Sequence, residues 1–108
     1  MKKNMKESIK KIRIKYPDKI PVFIYKSKKD KILDDINNNK FLVPDTITIG
    51  QFLIIIRKRI KLEKEQSLFL FVNNTIPCTS ESIINIYDKF KNKDDMLIME
   101  YCGENVFG

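Results

Sequence analysis

Apolar residues recur along the chain with two different periods, and each change of period marks an element. Met5, Ile9 and Ile12 fall at i, i+4 and i+7 among Lys6, Lys10, Lys11 and Arg13, which predicts a short basic helix over 5–14. Tyr16-Pro17-Asp18 ends it, because the residue before a proline is pushed out of the α region. Ile20 to Tyr25 is rich in β-branched and aromatic residues and reads as a strand with Pro21 near its start. Residues 26–39 are charged, then Asn-rich, and read as a loop. Phe41-Leu42-Val43 predicts a second strand, closed by Pro44.

The strongest helical signal spans about 47–60, with Asp45 or Thr46 as its cap. Ile49, Leu53, Ile56 and Ile60 make one core-facing stripe, and Phe52, Ile55 and Arg59 form a second line beside it. That second line is either wider core contact or one wall of a surface groove. Leu68 to Val72 is a continuous apolar run and reads as a buried central strand, with Asn73-Asn74 as the turn after it. Thr79 or Ser80 caps a helix through about Phe90, with Ile83, Ile86, Tyr87 and Phe90 on one face. Asp94-Asp95 turns the chain into a last strand over 96–101. A hairpin, a crossing helix and a final strand returning beside the first is the β-grasp order of ubiquitin-like proteins. Ferredoxin-like folds mix similar elements.

Composition narrows the chemistry. A chain of 108 residues makes one domain, with little room for a buried active site. There is no histidine, which removes Ser-His-Asp and Cys-His catalysis and most zinc sites. Three glycines, Gly50, Gly103 and Gly108, cannot make a Gly-rich phosphate loop. No carboxylate stands in an apolar context that suggests general-acid work. No enzyme activity, cofactor or metal is expected. Cys78 and Cys102 lack CxxC spacing and read as reduced thiols of a cytosolic protein. No apolar run approaches the ~20 residues of a membrane span, and no signal peptide is visible.

The charge is uneven. Residues 1–61 carry 17 Lys/Arg against 6 Asp/Glu, whereas residues 62–108 carry 4 against 8. One half of the chain is therefore a basic surface suited to an acidic partner, an anionic membrane or a nucleic acid. A solvated face in a lysine-rich chain is the equal competitor. Aromatic stacking platforms beside the basic stretches are missing, so nucleic-acid binding is not expected.

Three stretches carry a family resemblance. Lys11-Ile12-Arg13-Ile14-Lys15-Tyr16-Pro17-Asp18-Lys19-Ile20-Pro21-Val22 resembles the K-I-R-x-K-Y-P-D-R/K-x-P-V segment of the GABARAP-type autophagy modifiers. Lys40-Phe41-Leu42-Val43-Pro44, Thr48-Ile49-Gly50-Gln51-Phe52 and Ile56-Arg57-Lys58-Arg59-Ile60 are similar to their K-Y/F-L-V-P, T-V-G-Q-F and I-R-K-R-I run. Phe71-Val72-Asn73-Asn74, Ile76-Pro77 and Thr79-Ser80 resemble F-V-N-N-x-I-P-x-T-S, and the sequence closes on Phe107-Gly108 at the family's attachment point.

The resemblance implies an α+β fold: a ubiquitin-like β-grasp with a four-stranded mixed sheet and an N-terminal helical extension. Its expected divisions are a basic helix over 1–16, the β-grasp domain over 17–102 and a conjugation tail over 103–108. It further implies that E1-like and E2-like enzymes carry the Gly108 carboxylate as a thioester to the amine of phosphatidylethanolamine. A terminal glycine suits this, having no Cβ to obstruct a narrow channel. The lipid brings two acyl chains, enough for stable anchoring. A cysteine protease removes residues beyond the glycine in most of the family, and the lipid afterwards. Here the sequence ends at Gly108, which fits either an encoded mature form or a processed one. The expected location is the cytoplasm, and the surface of autophagosomal or other intracellular membranes after lipidation.

The second implied activity is recognition of aromatic-x-x-aliphatic motifs on cargo receptors and autophagy factors, by pairing to the open edge of strand 40–44. Carried over by position, the aromatic pocket uses Ile12, Pro21, Lys40, Leu42 and Met96. The aliphatic pocket uses Phe41, Val43, Pro44, Ile47, Phe52 and Ile55, with Arg59 at its edge. On the residues alone, Phe52 and Ile55 are ordinary core positions and the prolines shape edge strands. Departures from the family pattern are a short N-terminus with one helix in place of two, Ser8 where an acidic residue is common, Met96 for an aromatic, Phe41 for tyrosine, and a longer Asn-rich loop. Attachment to protein lysines and an unconjugated interaction module are the competing functions.

Overall fold

The computed structural model describes residues 5–103. Its elements are α1 (Met5–Lys15), β1 (Lys19–Lys26), β2 (Lys40–Pro44), α2 (Ile49–Arg59), β3 (Phe69–Phe71), α3 (Ile83–Phe90) and β4 (Leu97–Cys102). The strands form one sheet in the order β2-β1-β4-β3. β1 is antiparallel to β2 and parallel to β4, and β3 is antiparallel to β4, so the sheet is mixed. This is the ubiquitin-like β-grasp that the element order predicts.

One face of the sheet carries the main core. Ile20, Val22 and Ile24 of β1 and Leu97, Met99 and Tyr101 of β4 pack with Ile49, Phe52 and Ile56 of α2 and Ile83, Ile86 and Tyr87 of α3, all buried. The opposite face is covered at its β1 end by α1, whose Ile9 is buried. Arg13 pins that helix: its guanidinium donates to the carbonyls of Lys19 and Pro17 and lies 5.4 Å from the centre of the Tyr87 ring.

Four details differ from the sequence reading. The cap of α2 is Thr48, not Asp45 or Thr46. Its hydroxyl accepts the Gln51 N–H, and the Gln51 side chain accepts the Thr48 N–H, closing a capping box. In α2, Phe52 is fully buried while Leu53 is only half-buried, so the core stripe is rotated by one residue toward the second line. The cap of α3 is Ser82 instead of Thr79 or Ser80, and the Thr79 carbonyl instead accepts Gly50 N–H at the start of α2. Finally, β3 is an edge strand, and β1 and β4 are the central pair. A continuous apolar run reports burial on both sides, which Leu70, Phe71 and Val72 do have, but it does not report strand order.

The turns follow their residue types. Asn73 and Asn74 both take positive φ (48° and 63°) between the mutually bonded Val72 and Thr75, the geometry of a tight hairpin turn. Loop 26–39 is more than a connector, because Leu33 and Ile36 insert into the core. Asn39 donates to the Ile24 carbonyl, and Asn38 accepts Lys40 N–H, which sets the start of β2.

Candidate functional site

The parity of the β1–β2 ladder decides what β2 offers to a partner. Ile24 N–H bonds Asn39 C=O at 2.8 Å and Asp45 N–H bonds Asp18 C=O at 3.0 Å. In an antiparallel pair, hydrogen-bonded and non-bonded residue pairs alternate. Counting inward from both ends, Val22↔Phe41 and Ile20↔Val43 are the bonded pairs, and Pro21↔Leu42 is not. Lys40, Leu42 and Pro44 therefore point their backbone groups away from β1, to the open edge of the sheet. Lys40 N–H is taken by Asn38 and Pro44 C=O by Ile47 N–H, which leaves the N–H and C=O of Leu42 facing outward. Pro44 has no N–H to give and sits where the ladder needs none.

The side chains of β2 alternate just as strictly, with burial exposed-buried-exposed-buried-exposed. Lys40, Leu42 and Pro44 stand on the α1 side, and Phe41 and Val43 on the α2 side. On the α1 side lies a cavity of about 210 Å³ whose walls include Ile12, Pro21, Lys40, Leu42 and Met96. All five residues expected for the aromatic pocket thus converge. Met5, Ser8 and Ile9 of α1, with Val22 and Phe41, complete the lining. Met5, Ile9 and Val22 stand outside both expected sets, although the helical period places Met5 and Ile9 on the face of Ile12. The cavity is apolar apart from the Ser8 hydroxyl and the Lys40 ammonium, and no carboxylate lines it.

Pro44 stands on the α1 side of β2, apart from the rest of the second expected set, which lies on the α2 side. Val43 and Phe52 are buried, Phe41 nearly so, and the Phe41 and Phe52 rings meet edge to face with centres 5.5 Å apart. They form a floor, not an open wall. Ile47 and Ile55 are half-buried, and Arg59 is exposed beside them. The Arg59 guanidinium stands 4.6 Å from the centre of the Phe41 ring, a cation–π contact that holds this edge in place. Phe41 thus serves both faces, where only the aliphatic one was expected. Phe107 and Gly108 lie outside the described residues.

Among the described residues no group of His, Cys, Asp or Glu could hold a metal ion, and no helix is long and apolar enough to cross a membrane. Cys78 is an exposed free thiol and Cys102 a buried one. Asp30, the one buried carboxylate among the described residues, is a structural acceptor. Burial alone would raise its pKa, but the N–H groups of Leu33, Ile32 and Gly103 outweigh that and hold it below the ordinary carboxylate value.

Comparison with known proteins agrees with this architecture. The family described as "Autophagy protein Atg8 ubiquitin like" matches residues 3–108. Autophagy-related protein 8e of Arabidopsis thaliana is 46% identical over 97 residues, covering 90% of this chain and 79% of that protein. Autophagy-related protein 8B of Oryza sativa is 47% identical over 97 residues, covering 90% of this chain and 81% of that protein. The crystal structure of Trypanosoma brucei ATG8 superposes with a TM-score of 0.88 at 36% identity, over 96% of this chain and 89% of that one. The chain belongs to the Atg8 family of ubiquitin-like autophagy proteins.

Proposed function

We propose that this protein is conjugated through the Gly108 carboxylate to phosphatidylethanolamine. On the membrane it acts as an adaptor that binds aromatic-x-x-aliphatic motifs on cargo receptors and autophagy factors. E1-like and E2-like enzymes would load the tail, and a cysteine protease would release the lipid. The observation that carries the adaptor reading is the placement of the two apolar sites on opposite faces of one open strand. Side chains of an extended peptide alternate between faces, so residues i and i+3 point in opposite directions. A strand added to the edge at Leu42 would send its aromatic residue toward Ile12, Pro21 and Met96. Its aliphatic residue, three positions on, would go toward Ile47, Ile55 and the Phe41–Phe52 floor. A motif of spacing i, i+2 or i, i+4 would place both anchors on one face and leave one site empty.

The exposed cations around the sites, Lys40 and Arg59, favour acidic residues beside the motif, and salt should weaken that contribution. The test is fluorescence anisotropy with three labelled peptides that differ only in carrying two, one or three residues between Phe and Leu. The two-residue spacing should bind at least tenfold tighter than the others. Equal affinity for all three would sink the opposite-face reading.

A further inference from the structure

Among the described residues, the buried polar or charged side chains are Ser27 and Asp30, both in loop 26–39. The two oxygens of Asp30 have different partners. Oδ1 accepts the N–H groups of Ile32 (2.6 Å) and Leu33 (2.9 Å), which folds the loop locally. Oδ2 accepts the N–H of Gly103 at 2.5 Å, across 73 positions of sequence. The Cys102 side chain also bonds the carboxylate. Two further bonds tie the loop to the end of β4: Ser27 N–H donates to the Tyr101 carbonyl at 2.8 Å, and the Tyr101 hydroxyl donates to the Asp34 carbonyl at 2.5 Å. Packing closes the joint, since a Cβ on Gly103 would stand 3.0 Å from Leu33 Cγ.

Oδ1 makes the carboxylate's bonds to the backbone within the loop. The bond from Oδ2 serves only the point where the chain leaves the sheet. We propose that the Asp30 carboxylate clasps this strand-to-tail joint, making Asp30 a positioning residue for the enzyme that takes up the Gly108 carboxylate. The inference rests on the conjugation reading above. Residues 104–108 separate the joint from the terminus, and five residues reach at most roughly 17 Å whatever path they follow. Fixing Gly103 therefore fixes the origin of that reach. With the clasp open, the chain is next held at Cys102, which is buried and pairs with Phe69 in the sheet, and the tail lengthens by one residue, roughly 3.5 Å. An enzyme that threads the tail must then order that residue itself, which weakens binding and leaves the chemistry at the carboxylate unchanged.

Asp30→Asn separates the two roles. With its Oδ1 still on Ile32 and Leu33, the amide presents an NH2 group to the Gly103 N–H, and that bond is lost. Gly103→Ala attacks the joint from the other side and leaves the Asp30 turn intact. Two readouts apply to wild type and both variants: amide exchange at residues 32, 33 and 103, and KM and kcat for thioester formation with a matched E1-like enzyme and ATP. The expected result in both variants is fast exchange at residue 103, unchanged protection at 32 and 33, a KM raised roughly five-fold and an unchanged kcat. Fast exchange of Gly103 in the wild type would overturn the clasp itself. A released joint with unchanged KM would overturn its positioning role. Absence of any wild-type thioester would remove the conjugation reading and the positioning role with it, while exchange would still report whether the joint is clasped.

Discussion

Replacing Leu42 by proline should abolish motif binding and leave the fold standing. Leu42 sits in a non-bonded pair with Pro21, so its N–H points to the open edge and the β1–β2 ladder does not use it. Its side chain is 38% exposed in the free protein, so truncation alone removes little core. Leu42→Ala should cost under about 0.5 kcal/mol of stability, as for other surface changes. In the proposed complex the peptide's aromatic ring would cover the same side chain. Losing most of that contact costs about 1–2 kcal/mol, or roughly five- to thirty-fold in Kd. Leu42→Pro loses this contact too. It also leaves the peptide carbonyl opposite residue 42 without a donor, a further penalty of about 1–3 kcal/mol. Its ring occupies the space of the added strand as well. The two losses together, about 2–5 kcal/mol, weaken binding by at least roughly thirty-fold, before the ring's clash is counted. Val43→Pro is the control: Val43 N–H faces β1 and the residue is buried, so this change should break the sheet. Anisotropy titrations would give Kd, and urea denaturation would give stability. Equal binding by Leu42→Ala and Leu42→Pro would refute edge pairing. Unfolding by Leu42→Pro with tolerance of Val43→Pro would show that the ladder parity is reversed.

Other consequences follow from the same geometry. Thr48→Ala removes the side-chain half of the α2 capping box and should lower stability by about 1 kcal/mol, with no change in peptide Kd. Phe52→Ala opens a cavity beneath Phe41 and should cost about 3–5 kcal/mol in urea denaturation, unlike the solvent-facing Leu42. Acid should release the tail joint. The Asp30 carboxyl is depressed in the folded state, so its contribution is fully present above the ordinary carboxylate pKa and disappears as pH falls through the lower folded value. Amide exchange at Gly103, corrected for its intrinsic pH dependence, should accelerate in that acid window, and Asp30→Asn should show no such step.

The parts of this molecule that sequence makes legible are those with a local period. The stripe Ile49, Ile56, Ile60 is visible because one face of a helix repeats every 3.6 residues, and β1 because its residues suit a pleated surface. The cap of α2 is Thr48, where the sequence reading offers Asp45 or Thr46. The spacing Thr48-x-x-Gln51 is the signal that separates them. The edge position of β3 was illegible for a different reason: Leu68 to Val72 encodes burial, and strand order is set by partners distant in sequence. Asp30 is the extreme case. It is one carboxylate in a charged loop, and nothing near it in the chain announces a bond to Gly103. The helical period groups Met5, Ile9 and Ile12 on one face of α1, but no local pattern says that Lys40 and Leu42 of β2 meet that face, and only the family resemblance links them.

The central claim is the fate of the Gly108 carboxylate, and intact mass spectrometry addresses it most directly. Wild type and Gly108→Ala would be incubated with matched E1-like and E2-like enzymes, ATP and liposomes containing phosphatidylethanolamine. The account predicts a phosphatidylethanolamine adduct on the wild type alone, with loss of one water on amide formation. An unmodified wild type beside a fully formed E2 thioester would contradict it and direct the search to a protein lysine as acceptor.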